Sequence, residues 1–148
     1  MNAFRFRLQR VLEFRRMQFQ LAESECERAG IKLHSIQAQQ LALATRKSET
    51  RRAFSNLPQV AGRDLAPLPD WYNWTVRANQ FLGQLERGAA QEVEKKRAAL
   101  VQAQRKVRLL EKLRDKCYDD WQGEFNRELD ELAADSTNSG YAREKRAR

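Results

Sequence analysis

Apolar residues in the first third of the chain fall at Leu8, Leu12, Phe19, Ala22, Cys26, Ala29, Leu33, Ile36 and Leu43. The alternation of threes, fours and sevens is the spacing of a coiled-coil seam, with Arg15 and Gln40 in the skipped positions. It predicts one helix over about 4–55, roughly 75 Å long at 1.5 Å per residue. A second stripe opens with Trp71, Trp74, Ala78, Leu82, Leu85, Ala89 and Val93. Leu100, Ala103, Val107, Leu110, Cys117 and Trp121 continue it, and Phe125, Leu129 and Leu132 follow with a small drift that local unwinding absorbs. That stripe predicts a helix over about 71–134, with Asp70 as its N-cap.

Between the two lies a linker, about 56–70, which holds all three prolines (Pro58, Pro67, Pro69) and Gly62. Two long helices joined by a short proline-bearing connection form an antiparallel hairpin, a single all-α domain over 1–134. Residues 135–148 show no apolar period and are expected to be a disordered basic tail. With Phe54 near Trp71, facing residues have numbers that add to about 125. Cys26 then faces residues near 99, and Cys117 lies about 27 Å away along the axis, too far for an intrachain disulfide.

Composition agrees with long helices. Charged residues make up 32 % of the 148 residues, above the usual quarter, with only 6 Gly. The net charge is +8. Residues 1–16 carry five Arg and one Glu, whereas residues 111–132 carry four basic and eight acidic side chains. Antiparallel packing brings these opposite charges together. No run approaches the roughly 18 apolar residues of a membrane span. A secretory signal is not expected, because no apolar stretch follows Arg5 and Arg7. A soluble, intracellular protein is the expectation.

The sequence offers little to catalysis. His34 is the single histidine and reads as a helix surface residue. Glycine-rich phosphate loops and nucleophile elbows are missing, Asp119 and Asp120 point to different sides of a helix, and the two cysteines sit on seam positions. A non-enzyme without cofactor or metal is expected. The aromatics are more telling. Phe4, Phe6, Phe14 and Phe19 cannot all face one narrow seam, and Tyr118, Trp121 and Phe125 belong to the same end of the hairpin. They either wrap a thick end of the coiled coil or dock into another protein. Trp71, Tyr72, Trp74, Phe81 and Leu85 make a second cluster near the linker, which either caps the turn or binds a partner.

The opening FRFRLQRVLEFRRMQ, with Phe4, Phe6, Leu8, Val11, Leu12, Arg15 and Arg16, resembles the start of the FliJ family of flagellar type III export proteins. LLEKLRDKCYDDWQGEFNRELDELA (109–133) is similar to that family's C-terminal signature, through Glu111, Lys112, Leu113, Arg114, Lys116, Leu129, Asp130 and Glu131. FLGQL (81–85) is similar to its segment near the start of the second helix. The resemblance spans most of 4–134. It implies a non-enzymatic coiled-coil stalk that enters the ring of the hexameric export ATPase and contacts the cytoplasmic domain of the export-gate membrane protein and substrate chaperones. No nucleic acid or small-molecule substrate is expected. The implied location is cytoplasmic, peripheral to the inner face of the membrane.

By this resemblance the ATPase-facing residues are Phe4, Phe6, Arg7, Arg15, Arg16, Phe19, Lys112, Arg114 and Trp121, and the gate-facing residues are Phe81, Leu85 and Gly88. Residues 33–53 contain no aromatic, so first-helix gate contacts are not carried over. The equivalent stalk of a virulence type III secretion system would read alike. A rival from another class is a nucleic-acid-binding coiled coil using Lys95, Lys96, Arg97, Arg105, Lys106 and Arg108. A membrane-surface helix over 1–21 is a third reading, opposed by arginines on all its sides.

Overall fold

A computed structural model of the chain describes residues 3–146, with side chains through residue 138. The fold is all-α: α1 (Gln9–Ser55), a four-residue α2 (Gly62–Leu65) and α3 (Leu68–Arg146). The chain forms two compact units, Met1–Phe19 with Ala103–Arg148, and Gln20–Gln102. Within each, a segment of α1 packs antiparallel against a segment of α3. Arg16 meets Glu111 in the first unit. Glu25 meets Lys96, and Gln37 and Gln40 meet Glu86, in the second. All four pairs keep the predicted register.

From Leu12 onward the α1 seam lies where the apolar spacing puts it, whereas Leu8, counted in it by spacing, precedes the helix and is exposed. Leu12, Ala29, Ile36 and Leu43 are buried, and the skipped positions Arg15 and Gln40 are half-buried between them. On α3, Ala89, Val93 and Val107 are buried and form the facing side.

Three boundaries differ from the sequence reading. The first helix starts at Gln9, not near Phe4. Residues 4–7 alternate half-buried Phe with exposed Arg, a period of two that belongs to an extended segment. The second helix starts at Leu68, so Asp70 lies in its first turn and is not its N-cap. Pro69 is harmless there, because first-turn N–H groups lack helical acceptors, and the Asp70 carboxylate favours the positive end of the helix dipole. In the linker, the Asp64 carboxylate accepts from the Ala61 N–H at 3.3 Å and opens α2.

At the far end α3 continues to Arg146, where the sequence reading ends the helix near Ala134 and expects a disordered tail. Residues 147–148 of that tail lie outside the described residues. Extension of an existing helix, not propensity, accounts for the continuation, since 135–140 (DSTNSG) are weak helix formers. Ala133 and Ala134 favour helix, no proline intervenes, and Thr137 Oγ1 donates to the carbonyls of Ala133 and Ala134 at 3.0 and 2.8 Å. Extending an existing helix avoids the cost of nucleating a new one.

Candidate functional site

In the unit holding Gln20–Gln102, the seam on α3 passes through two polar residues. Thr75 is fully buried, and its hydroxyl donates to the Tyr72 carbonyl at 2.7 Å. Glu86 is half-buried and accepts from Gln40 at 2.9 Å and Gln37 at 3.2 Å. Their neighbours Trp74 and Leu85, assigned to the seam from sequence, are therefore turned outward. Trp74, Phe81 and Leu85 are 53 %, 60 % and 41 % exposed. At about 100° per residue these three and Gly88 lie on one side of the helix. A Cβ added at Gly88 would meet nothing within 4 Å, so the backbone is open to close approach there.

Leu85 and Gly88 also border an open groove between the helices, with Arg28 and Lys32 of α1 on its other side. The gate-facing set inferred from resemblance thus forms one exposed, mostly apolar stripe beside basic charge. Near the turn, Phe54 and Trp71 are half-buried and line one cleft, and the Lys47 ammonium lies 5.8 Å from the Tyr72 ring centre. The aromatic cluster expected there splits: Trp71 packs the turn, while Tyr72, Trp74 and Phe81 face outward.

In the other unit, the extended N-terminal segment returns Phe4 to α3. Its ring meets Tyr118 edge-on at 5.3 Å and Trp121 at 5.9 Å, and Trp121 continues to Phe125 at 5.4 Å. Phe6 and Phe19 are half-buried, whereas Phe14 is 51 % exposed, with the Arg15 guanidinium 6.0 Å from its centre. The aromatics at this end are mostly absorbed by packing within the hairpin, and Phe14 is the exception among these four phenylalanines.

Of the nine residues assigned to the ATPase, several are engaged within the protein. Arg16 donates to Glu111 at 2.7 Å and Arg114 pairs with Asp115 at 3.3 Å. Arg7 and Lys112 are exposed, and Arg15 donates to Gln18 at 2.8 Å. Phe4, Phe6 and Arg7 do line one open groove with Arg5, Arg10 and Arg114. The candidate nucleic-acid strip is partly neutralised: Lys96 is bound to Glu25 at 2.8 Å and Arg97 to Glu94 at 3.3 Å.

Among the described residues no cluster of three His, Cys, Asp or Glu could hold a metal, and no helix is long and apolar enough to cross a membrane. His34 is exposed, and Cys26 and Cys117 are free and half-buried. Sequence reasoning missed the Glu86–Gln37–Gln40 layer and the outward position of Trp74. The signal was present in the register: the α1 seam skips an apolar residue at Gln40, and the polar partner facing it is Glu86.

These polar contacts carry a pH dependence. Hydrogen bonding and charge from Lys96 hold the Glu25 carboxyl below its ordinary 4.5, and Glu25 in turn raises Lys96 above 10.5. Donation from Gln40 and then Gln37 lowers Glu86. A depressed carboxyl stabilises the fold above its unfolded value and loses that contribution as pH falls through its folded value. A raised lysine contributes below 10.5 and loses its contribution above. Thermal melts are therefore expected to be flat between about pH 5 and 10 as far as these groups act and to fall on either side. Glu86→Gln should flatten the acid limb, and an unchanged limb would remove Glu86 from this account.

No family model, no curated protein and no solved structure matches this chain.

Proposed function

We propose that this chain is a non-enzymatic component of the flagellar type III protein export apparatus. In this reading it is a FliJ-like stalk that binds the export ATPase ring and links it to the export gate and to substrate chaperones. It works in the cytoplasm at the inner face of the membrane, held there by its partners. The counterpart in a virulence secretion system would be built alike. The all-α antiparallel hairpin suits such a stalk. The observation that carries the reading is the placement of Phe81, Leu85 and Gly88. Resemblance singled them out as partner-facing, and they share one exposed side of α3 with Trp74. Exposed apolar residues in a row are the usual mark of a protein interface.

Gly88 gives a test in which stability and binding move in opposite directions. Gly88→Ala meets no obstruction and should stabilise the helix by about 0.5–1 kcal/mol. It should also weaken binding to the purified gate cytoplasmic domain, because a methyl group now stands where the partner approaches. Phe81→Ala should weaken gate binding about tenfold or more while leaving helicity intact. Calorimetry of both variants against the gate domain measures this. Wild-type affinity in both would remove the gate from the reading. Recovery of a hexameric ATPase with the wild-type chain from cell lysate tests the wider assignment.

A further inference from the structure

The aromatic ladder on α3 ends at Phe125. Beyond it, every side chain from 126 to 138 is exposed, and no described segment covers that stretch of helix. It is nonetheless amphipathic. Leu129 and Leu132, 46 % and 63 % exposed, continue the side on which Tyr118 and Trp121 meet Phe4 and Phe125 packs on Trp121. Glu124, Glu128, Glu131 and Asp135 recur at steps of 4, 3 and 4 and form an acidic edge beside it. The helix therefore carries its packing face past the end of its own partner.

The same unit holds a surface of opposite character. On the side of α1 turned from α3, Val11, Phe14 and Met17 are all exposed. Arg10, exposed as well, falls between Phe14 and Met17 around the helix, and exposed Arg7 lies just before the helix; both also border the open groove that reaches Arg114. One surface is leucine beside acid, and the other is aromatic and aliphatic beside base.

We propose that two copies of this chain associate through these surfaces, the 126–138 stretch of each α3 lying on the Val11–Phe14–Met17 face of the other copy's α1. A two-fold axis makes the contact reciprocal, so one exchange buries both patches on both copies. The geometry suits the exchange. The leucines of α3 point to the side on which a first helix packs, and a second copy related by the two-fold presents its α1 there, outer face inward. The α3 stretch of each copy runs parallel to the α1 of the other. Charge selects this arrangement over leucine-to-leucine pairing, which would set two acidic edges together. The inference is independent of the export reading.

Sedimentation velocity on the full chain over a range of micromolar concentrations is expected to show a monomer–dimer equilibrium that weakens with added salt. Leu129→Glu with Leu132→Glu should raise the dimer dissociation constant by about 100-fold at unchanged helicity. Arg7→Glu with Arg10→Glu should abolish self-association, as should Glu128→Arg with Glu131→Arg. Mixing these two double variants should restore a dimer, because each then meets its complement. A chain monomeric throughout the range overturns the proposal. So does self-association that survives the leucine changes, or a failure of the mixed charge variants to pair. Binding of vesicles of anionic phospholipid through Phe14 by a chain that stays monomeric overturns it as well, and assigns the α1 face to a membrane surface.

Discussion

Leu12→Asp is expected to destabilise the protein by about 3 kcal/mol or more, since it sets a carboxylate among apolar partners. Leu12 is fully buried. For a chain of this size that corresponds to a fall in Tm of roughly 10 °C. Ile36, 7 % exposed, occupies the comparable place in the other unit, and Ile36→Asp should have a similar effect. Hydrogen exchange should localise each: lost protection within Met1–Phe19 and Ala103–Arg148 for the first, within Gln20–Gln102 for the second. Leu33 and Leu110, equally plausible seam positions by spacing, are only half-buried, and aspartate there should cost less. Unchanged melting in both the Leu12 and Ile36 variants would mean that the seam lies elsewhere.

The seam of α1 was legible because one rule produces it. A helix packing along one partner must repeat its apolar contacts every three or four residues, and buried Leu12, Ala29, Ile36 and Leu43 fall on that repeat together with half-buried Phe19, Ala22, Cys26 and Leu33. The register of α3 was harder to read. Trp74 and Leu85 look like seam residues beside Thr75 and Glu86, since an apolar template prefers the larger hydrophobe. The structure chooses the polar pair, because the Thr75 hydroxyl is satisfied within its own helix and Glu86 by two glutamines of α1. A polar group with a partner costs little to bury, and hydrophobic periodicity alone does not reveal the partner.

The ends were misread for another reason. Periodicity reports an apolar face, so it falls silent after Leu132, although α3 runs on to Arg146. It also mistook an extended segment for a helical turn at Phe4–Arg7, where Phe4 reaches Tyr118 and Trp121 from outside α1. Phe81, Leu85 and Gly88 were singled out only through resemblance. Composition gives Phe81 no role, and its exposure is visible only once the α3 register is fixed.

The largest functional effect is expected at the N-terminal segment, and it tests the stalk reading directly. Arg5 and Arg7 are exposed and line the groove that Phe4 and Phe6 border. In the proposed function this basic end meets the inner wall of the ATPase ring, which touches several sides of an inserted helix pair at once. Arg5→Glu with Arg7→Glu changes the local charge by four units, and among the described residues neither arginine is ion-paired to α3. Arg16 is unsuitable for the same test: it donates to Glu111 at 2.7 Å, and reversing it would set two carboxylates together. Exposed charges at this end contribute about 0–1 kcal/mol each, so helicity and Tm should change little. Stimulation of ATP hydrolysis by the purified ATPase should fall about tenfold or more, because the reversed charges are repelled in a confined, partly desolvated pore. The assay belongs at low micromolar chain, with the Leu129→Glu, Leu132→Glu variant run beside it so that self-association does not enter the comparison. Should Arg5→Glu with Arg7→Glu stimulate like wild type while Phe81→Ala fails to stimulate, the ring is met by the linker end. Should both stimulate normally, neither surface serves the ATPase, and the stalk reading loses its first partner.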